Sequence, residues 1–224
     1  MSEFKTLIAR LEKQYGKPRL PPAKGPFELV LWENACYLLP DARRREVFEG
    51  LREQVGLNAG AIWKADKSVL MPLAVRGGMR PETRVFRWRE IARITLEQFE
   101  GNLDQIVAWP YKKALQALRL FPNIGGPGAE KILMFCGVAE GLPLESNGLR
   151  VLTRVGFGLA EKDYGKTYRS VEEALAGKLP RGAGPLARAH LLLRQHGREI
   201  CHTNGPECGE CPVVDRCKYV LKVL

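Results

Sequence analysis

The sequence predicts an all-α protein, and three observations predict it. Apolar residues recur at spacings of three and four in segment after segment, no stretch sustains the alternation of a half-buried strand, and the Gly- and Pro-rich breaks fall between the periodic segments. Phe4, Leu7, Ile8, Leu11 and Tyr15 place one apolar face on a helix over Glu3–Tyr15, with Ser2 as its N-cap and Gly16 and Pro18 as its stop. Residues 17–25 hold three prolines and a glycine, and form an extended connection. From Pro26 to Tyr37 the apolar residues are nearly continuous, which predicts a helix buried on most sides with Pro26 in its first turn. A more charged helix follows over Asp41–Val55 with Arg43, Arg44 and Arg45. The pattern from Ala59 to Leu73 then predicts one or two short helices broken at Pro72.

Residues 76–81 form a turn, and the next helix carries Phe86, Trp88 and Ile91 together with more arginine. Six arginines stand between positions 76 and 93, which suits either a solvated face or phosphate contact. Helices are further predicted over Leu96–Ile106, Lys112–Leu120, Ala129–Phe135, Ser170–Ala176 (from a capping box at Ser170) and Pro185–His196. Pro122 closes the helix at Leu120, and the turn at residues 123–128 offers backbone amides at the start of the next one, an arrangement that binds phosphate.

With 224 residues, 45% hydrophobic, the chain can build one large core or two small helical ones, and no apolar run approaches eighteen residues, so no membrane anchor is expected. A formal charge of +10 points to a polyanionic partner.

The densest chemical signal is C-terminal. Cys201, Cys208, Cys211 and Cys217 are spaced C-x6-C-x2-C-x5-C among Gly, Pro and polar residues that cannot build an apolar core, so order there requires the sulfurs to be tied together. One close pair with outer cysteines wrapped around it suits a [4Fe–4S] cluster better than the paired knuckles of zinc. Zinc stays open, and disulfides are least expected because no secretory signal opens the chain. Cys36 and Cys136 sit among apolar neighbours and are expected to be buried thiols, while His190, His196 and His202 are expected to be structural or surface groups.

Leu193-Arg194-Gln195-His196-Gly197-Arg198-Glu199-Ile200 running into that cysteine spacing resembles the end of the endonuclease III family, the helix-hairpin-helix DNA glycosylases that carry a [4Fe–4S] cluster. Leu120 to Ala129 resembles the family's hairpin, and Pro26 to Leu31 the start of its first core helix, in the family's order, so the likeness runs from about Gly25 onward. The resemblance implies two helical domains flanking a DNA-binding groove. Residues 24–137 would be a six-helix bundle with the helix-hairpin-helix, and residues 1–23 plus 138–224 an iron–sulfur cluster domain.

The same resemblance implies the site. Arg150-Val151 match the pair that follows the family's essential aspartate, and Glu145 stands in that aspartate's place, with Asn147 matching the adenine-glycosylase branch. A carboxylate there can face the developing sugar cation and hold the attacking water, or it can serve only the helix N-terminus beside it. Pro127 occupies the position of the lysine with which bifunctional members form a Schiff base, and proline offers no nucleophile. Lys131, one turn further, is the candidate for a relocated lysine, with phosphate contact as its alternative role. The candidate DNA contacts are Asn123, Ile124, Gly125, Gly126 and Gly128 of the hairpin, Asn147, and Leu38 of Leu38-Leu39, an apolar pair where many relatives keep a gap-filling glutamine.

The expected function is a monofunctional DNA repair glycosylase acting on double-stranded DNA as a monomer, cytoplasmic or nucleoid-associated. The alternatives are a weakly active or non-catalytic binder of distorted DNA, and an abasic-site lyase using Lys131.

Overall fold

The computed structural model describes residues 2–220. Residue 1 and residues 221–224, the outer ends of the expected cluster domain, lie outside the described residues. Among the described residues there are helices and no strand, and no helix is long and apolar enough to cross a membrane. They divide into two compact units, one made of the chain up to Leu20 and again from Gly137, the other of Pro21–Cys136.

The continuous unit holds seven α-helices: α2 (Gly25–Glu33), α3 (Asp41–Gln54), α4 (Ala59–Lys64), α5 (Lys67–Arg76), α6 (Pro81–Gln98), α7 (Tyr111–Leu118) and α8 (Gly126–Phe135), with a 3-10 turn over Asp104–Ala108. Trp88 of α6 is wholly buried, with Phe48, Leu51, Ile62, Leu70 and the Leu29–Leu31 run of α2. α4 and α5 lie on α6, and α2 packs on α3, α6 and α8, so the helix with almost no polar face sits at the centre of its unit.

Several predicted boundaries move, each for a local reason. α2 stops at Glu33 rather than Tyr37, because Asn34 turns its own Nδ2 back onto Val30 O at 3.0 Å, a side-chain bond that competes with the helix. Pro72 does not break a helix. It lies within α5 with its ring exposed, and the break falls at Ala65–Asp66, where the backbone is extended. No helix spans Leu96–Ile106: Leu96 belongs to the last turn of α6, and Glu100 and Gly101 take left-handed backbone before the 3-10 turn. The arginine-rich stretch is partly structural. Arg84 is buried and donates to the carbonyls of Ala74 (2.6 Å), Gly78 (3.2 Å) and Met79 (3.1 Å). Arg89 donates to Ala65 O at 2.9 Å, and Arg93 pairs with Glu90 and Glu97 on its own helix. Arg76, Arg80 and Arg87 remain as the candidates of that group for phosphate contact.

The discontinuous unit holds α1 (Glu3–Tyr15), α9 (Ser146–Arg154), α10 (Tyr164–Leu175) and α11 (Ala183–Glu199), followed by 3-10 turns at Cys208–Glu210 and Val214–Arg216. Ser2 caps α1 by accepting from Lys5 N at 3.3 Å. α10 starts well before Ser170, because Asp163 caps it by accepting from Lys166 N at 2.8 Å, while the Ser170 hydroxyl accepts from Leu159 N instead. α11 lies against both α1 and α9. Its crossing of α9 depends on Gly197, where an added Cβ would stand 2.6 Å from Asn147 Cβ and 2.8 Å from Asn147 O.

Candidate functional site

The hairpin is α7, the turn through residues 119–125, and α8. Asn123 adopts left-handed backbone at φ 61°, which asparagine tolerates, and Gly125 is the extended N-cap of α8. In the first turn of any helix the amides lack partners within the helix. Here those of Gly126 and Gly128 are available and Pro127 contributes none, its ring sitting where a missing N–H costs nothing. Gly125 and Gly126 have φ values open to any residue or open space around an added Cβ: nothing lies within 4 Å of either. Neither packing nor, at Gly125, backbone conformation calls for glycine, so what a side chain would obstruct is approach from outside.

Ile124 behaves differently from its neighbours. Its side chain is buried, and its amide donates to Phe121 O at 3.2 Å, so among the predicted hairpin contacts it shapes the turn. Asn34, which the sequence did not single out, holds the turn in place. It is 4% exposed, donates from Nδ2 to Pro122 O at 3.0 Å and accepts at Oδ1 from Asn123 Nδ2 at 3.2 Å.

Leu38 lies in the loop after α2. It is 80% exposed and has φ 54°, left-handed backbone that costs a branched L-residue roughly 1–2 kcal/mol. An apolar side chain held out on strained backbone suits a wedge. The same loop bonds a second one, Tyr37 N donating to Gly77 O at 3.3 Å. That second loop presents Met79, also exposed, beside Arg80, whose backbone is left-handed too. Exposed methionine on a turn pinned by a buried arginine is a signal that composition alone did not raise.

Lys131 of α8 does not stand free. Its Nζ is 2.7 Å from Glu33 Oε2, both side chains are less than a fifth exposed, and Arg44 approaches the other oxygen of Glu33 at 4.0 Å. A lysine nucleophile must be free to reach the sugar, whereas this one is held by Glu33 in a half-buried pair.

In the other unit, Glu145 is the N-cap of α9. Oε1 accepts from Gly148 N at 3.1 Å and Oε2 from Asn147 Nδ2 at 2.7 Å. Asn147 Oδ1 in turn accepts from Arg150 Nη2 at 2.7 Å, and Arg150 also donates to Gly197 O (2.5 Å) and Cys201 O (2.7 Å). Burial pulls the Arg150 guanidinium below its usual value, yet three acceptors and the neighbouring thiol hold it in place. A chain of bonds therefore runs from the carboxylate to the first cysteine of the C-terminal run. Asn147, predicted as a DNA contact, spends both ends of its side chain within this chain.

Cys201, Cys208, Cys211 and Cys217 line one small apolar cavity with Ile200, Pro206, Val214, Tyr219 and Arg154. Among the described residues no three His, Cys, Asp or Glu side chains are gathered as for a single metal ion. Arg154 Nη1 donates to Cys201 Sγ at 3.2 Å and to His202 O at 2.8 Å, with its guanidinium 4.1 Å above the Tyr219 ring. Burial pushes the Cys211 thiol up, and the other three cysteines add to the rise, as expected of four sulfurs facing one space. Four sulfurs around an apolar chamber, with a cation against one of them, fit an anionic thiolate cluster. Cys36 is buried and Cys136 half-buried, burial raising both thiols, Cys136 to about 12.

Of the histidines, His190 donates from Nδ1 to Pro143 O at 2.7 Å, and His202 approaches Glu207 at 3.6 Å. His196 is buried between Tyr15 Oη, 2.8 Å from its Nδ1, and Cys211 Sγ, 3.5 Å from its Nε2. Burial lowers it to about 4 and, with Glu199 and the nearby cysteines, raises Tyr15.

No family model matches the chain. Endonuclease III of Escherichia coli is 32% identical to it over 131 residues, 58% of this chain and 55% of that protein. For endonuclease III of Sulfolobus acidocaldarius the figures are 29% over 122 residues, 54% and 52%. The chain thus spans about half the length of these curated relatives. Among solved structures, a trapped endonuclease III–DNA covalent intermediate matches 100% of this chain and 99% of that one, with a TM-score of 0.74 at 18% identity. A thermostable thymine-DNA glycosylase matches 98% and 97%, with a TM-score of 0.74 at 16% identity, and likenesses at such identity speak to the fold. Relatives in sequence and neighbours in fold point the same way: the chain is similar in sequence to endonuclease III over about half its length, and its all-helical fold is like that of the endonuclease III structures.

Proposed function

We propose that the chain is a monofunctional DNA repair glycosylase, which flips a damaged or mispaired base from double-stranded DNA and hydrolyses its N-glycosidic bond. The observation that carries this is the pairing of Glu145, a carboxylate fixed at the head of α9, with Pro127 in the place of the family's Schiff-base lysine. Breaking the bond leaves positive charge on the sugar, and a fixed carboxylate both stabilises that charge and orients the water that quenches it. With no amine at position 127 and Lys131 bound to Glu33, the reaction stops at the abasic sugar.

On this reading residues 24–137 form the domain whose hairpin amides at Asn123, Gly125, Gly126 and Gly128 take phosphate, with Leu38 as the wedge. Residues 1–23 and 138–224 form the domain that carries Glu145 and the metal centre. Cys201, Cys208, Cys211 and Cys217 would hold a [4Fe–4S] cluster, which supplies a rigid four-point crosslink and a one-electron redox centre. The protein works as a monomer in the cytoplasm or on the nucleoid. That endonuclease III–DNA complexes are among its fold neighbours supports DNA as the partner.

A second reading, a non-catalytic binder of distorted DNA, is favoured by one observation: both oxygens of Glu145 are already engaged in capping α9. A panel of duplexes with single lesions or mismatches separates the two. The glycosylase is expected to release one or more bases and leave an unbroken strand that alkali then cleaves. Release of none supports the binder, and cleavage without alkali together with borohydride trapping supports a relocated lysine.

Gly126→Glu gives an independent check on the hairpin. The site is open, and a carboxylate in the first turn favours the helix, so thermal stability should hold or rise slightly. The same charge repels phosphate, so duplex affinity at moderate salt should fall at least tenfold, with a flatter dependence of log affinity on log salt. Unchanged affinity, read by fluorescence anisotropy, would remove the hairpin from the interface.

A further inference from the structure

We propose that Tyr15 tunes the reduction potential of the metal centre by fixing which nitrogen of His196 carries the hydrogen, an inference that rests on the iron–sulfur assignment above. The geometry is a line of three groups from three parts of the chain: Tyr15 Oη at the end of α1, the His196 ring in the last turn of α11, and Cys211 Sγ, separated by 2.8 Å and 3.5 Å. A cysteine sulfur bound to iron has lost its proton and can only accept a hydrogen bond. The nitrogen facing it, Nε2, must then be the donor. A neutral imidazole has one N–H, so Nδ1 must accept, and the Tyr15 hydroxyl must donate to it. The bonds thus run in one direction, from Tyr15 to His196 to the sulfur.

Remove the hydroxyl, and the tautomer with hydrogen on Nδ1 no longer loses a partner, so the N–H pointing at Cys211 is only partly populated. One other sulfur has a donor in view, Cys201 with Arg154 at 3.2 Å, but a guanidinium is a donor in every state and cannot be switched in this way. Hydrogen bonds to the sulfurs stabilise the electron-rich form of such a cluster and raise its potential. Tyr15 acts through His196 and touches no ligand sulfur itself, so its role is positional.

The test compares wild type with Tyr15→Phe, which keeps the ring against α11 and removes only the hydroxyl. Iron content should be equal, and the cluster's midpoint potential, read by spectroelectrochemistry, should fall by the equivalent of roughly a tenfold shift in the redox equilibrium, about 59 mV for one electron. Full iron with an unchanged potential overturns the inference and leaves the cofactor assignment intact. Wild-type protein that contains no iron overturns both. Independently of any variant, isotope-labelled wild type should show the His196 hydrogen on Nε2, and finding it on Nδ1 overturns the inference.

Discussion

Glu145→Gln is expected to reduce base release by on the order of 10³-fold, read in single-turnover assays on the best substrate of the lesion panel, while duplex affinity stays within a few fold. The charge is needed when the sugar becomes cationic, and hardly at all before. The substitution is also not silent in the ground state. Glutamine can keep the bond from Gly148 N, but its amide nitrogen would then face Asn147 Nδ2 at 2.7 Å, donor against donor. Asn147 cannot simply turn over, since its oxygen already accepts from Arg150. A stability loss of about 1–2 kcal/mol should accompany the loss of rate. Glu145→Asp separates the two effects, because it keeps the charge: a variant that restores excision while capping the helix less well assigns the rate to the carboxylate. If Glu145→Gln excises at the wild-type rate, the carboxylate has no part in the chemistry.

Stripping the metal is expected to have the largest structural effect. After Glu199 the chain makes two single-turn helices and a few long-range bonds, among them Lys218 N to Arg154 O at 2.7 Å and Glu207 N to Ile200 O at 3.0 Å. Val213 is the one wholly buried apolar side chain after Cys201 among the described residues. So little burial cannot offset the ordering entropy of some twenty residues at about 1–2 kcal/mol each, and on the proposed iron–sulfur reading the crosslink supplies the difference. Metal-free protein should be cut by protease within residues 201–220, and its thermal unfolding should separate into two steps, with the discontinuous unit melting first. The hairpin should still bind duplex DNA. A metal-free protein that resists protease and melts as the loaded form does would show that the C-terminal run folds on its own.

What could be read from the sequence and what could not follow one physical division. Ser2, the hairpin turn and the cysteine run act on neighbours a few residues away, or are set by spacing along the chain, and all three were legible. Asn34 was not, because it holds the hairpin turn through a carbonyl 88 residues later, and the apolar pattern of Pro26–Tyr37 carries no trace of that partner. Arg84 is one of six arginines in its stretch, and only the carbonyls folded around it set it apart from those left for phosphate. Asp163 outcompeted Ser170 as a cap although both have the right chemistry, since Ser170 was claimed by Leu159 N. That Glu145 could serve the N-terminus of the helix after it was legible. Its double engagement with Gly148 and Asn147 was not, and that engagement decides how freely it can meet a substrate.

The discontinuous unit has a consequence for the order in which the protein is made. α1 leaves the ribosome well before α11, yet the apolar stripe of Phe4, Leu7 and Leu11 is covered by that later helix, and Phe4 meets Phe157, ring edge to face at 6.0 Å, only after about 150 further residues have been added. At roughly 5–20 residues per second, that is on the order of ten seconds or more. During this interval Pro21–Cys136 can close on itself, while α1 waits as an uncovered amphipathic helix. Nascent chains should therefore need shielding at their N-terminal end, and stalled chains that stop before residue 183 should bind a general chaperone there until α11 emerges.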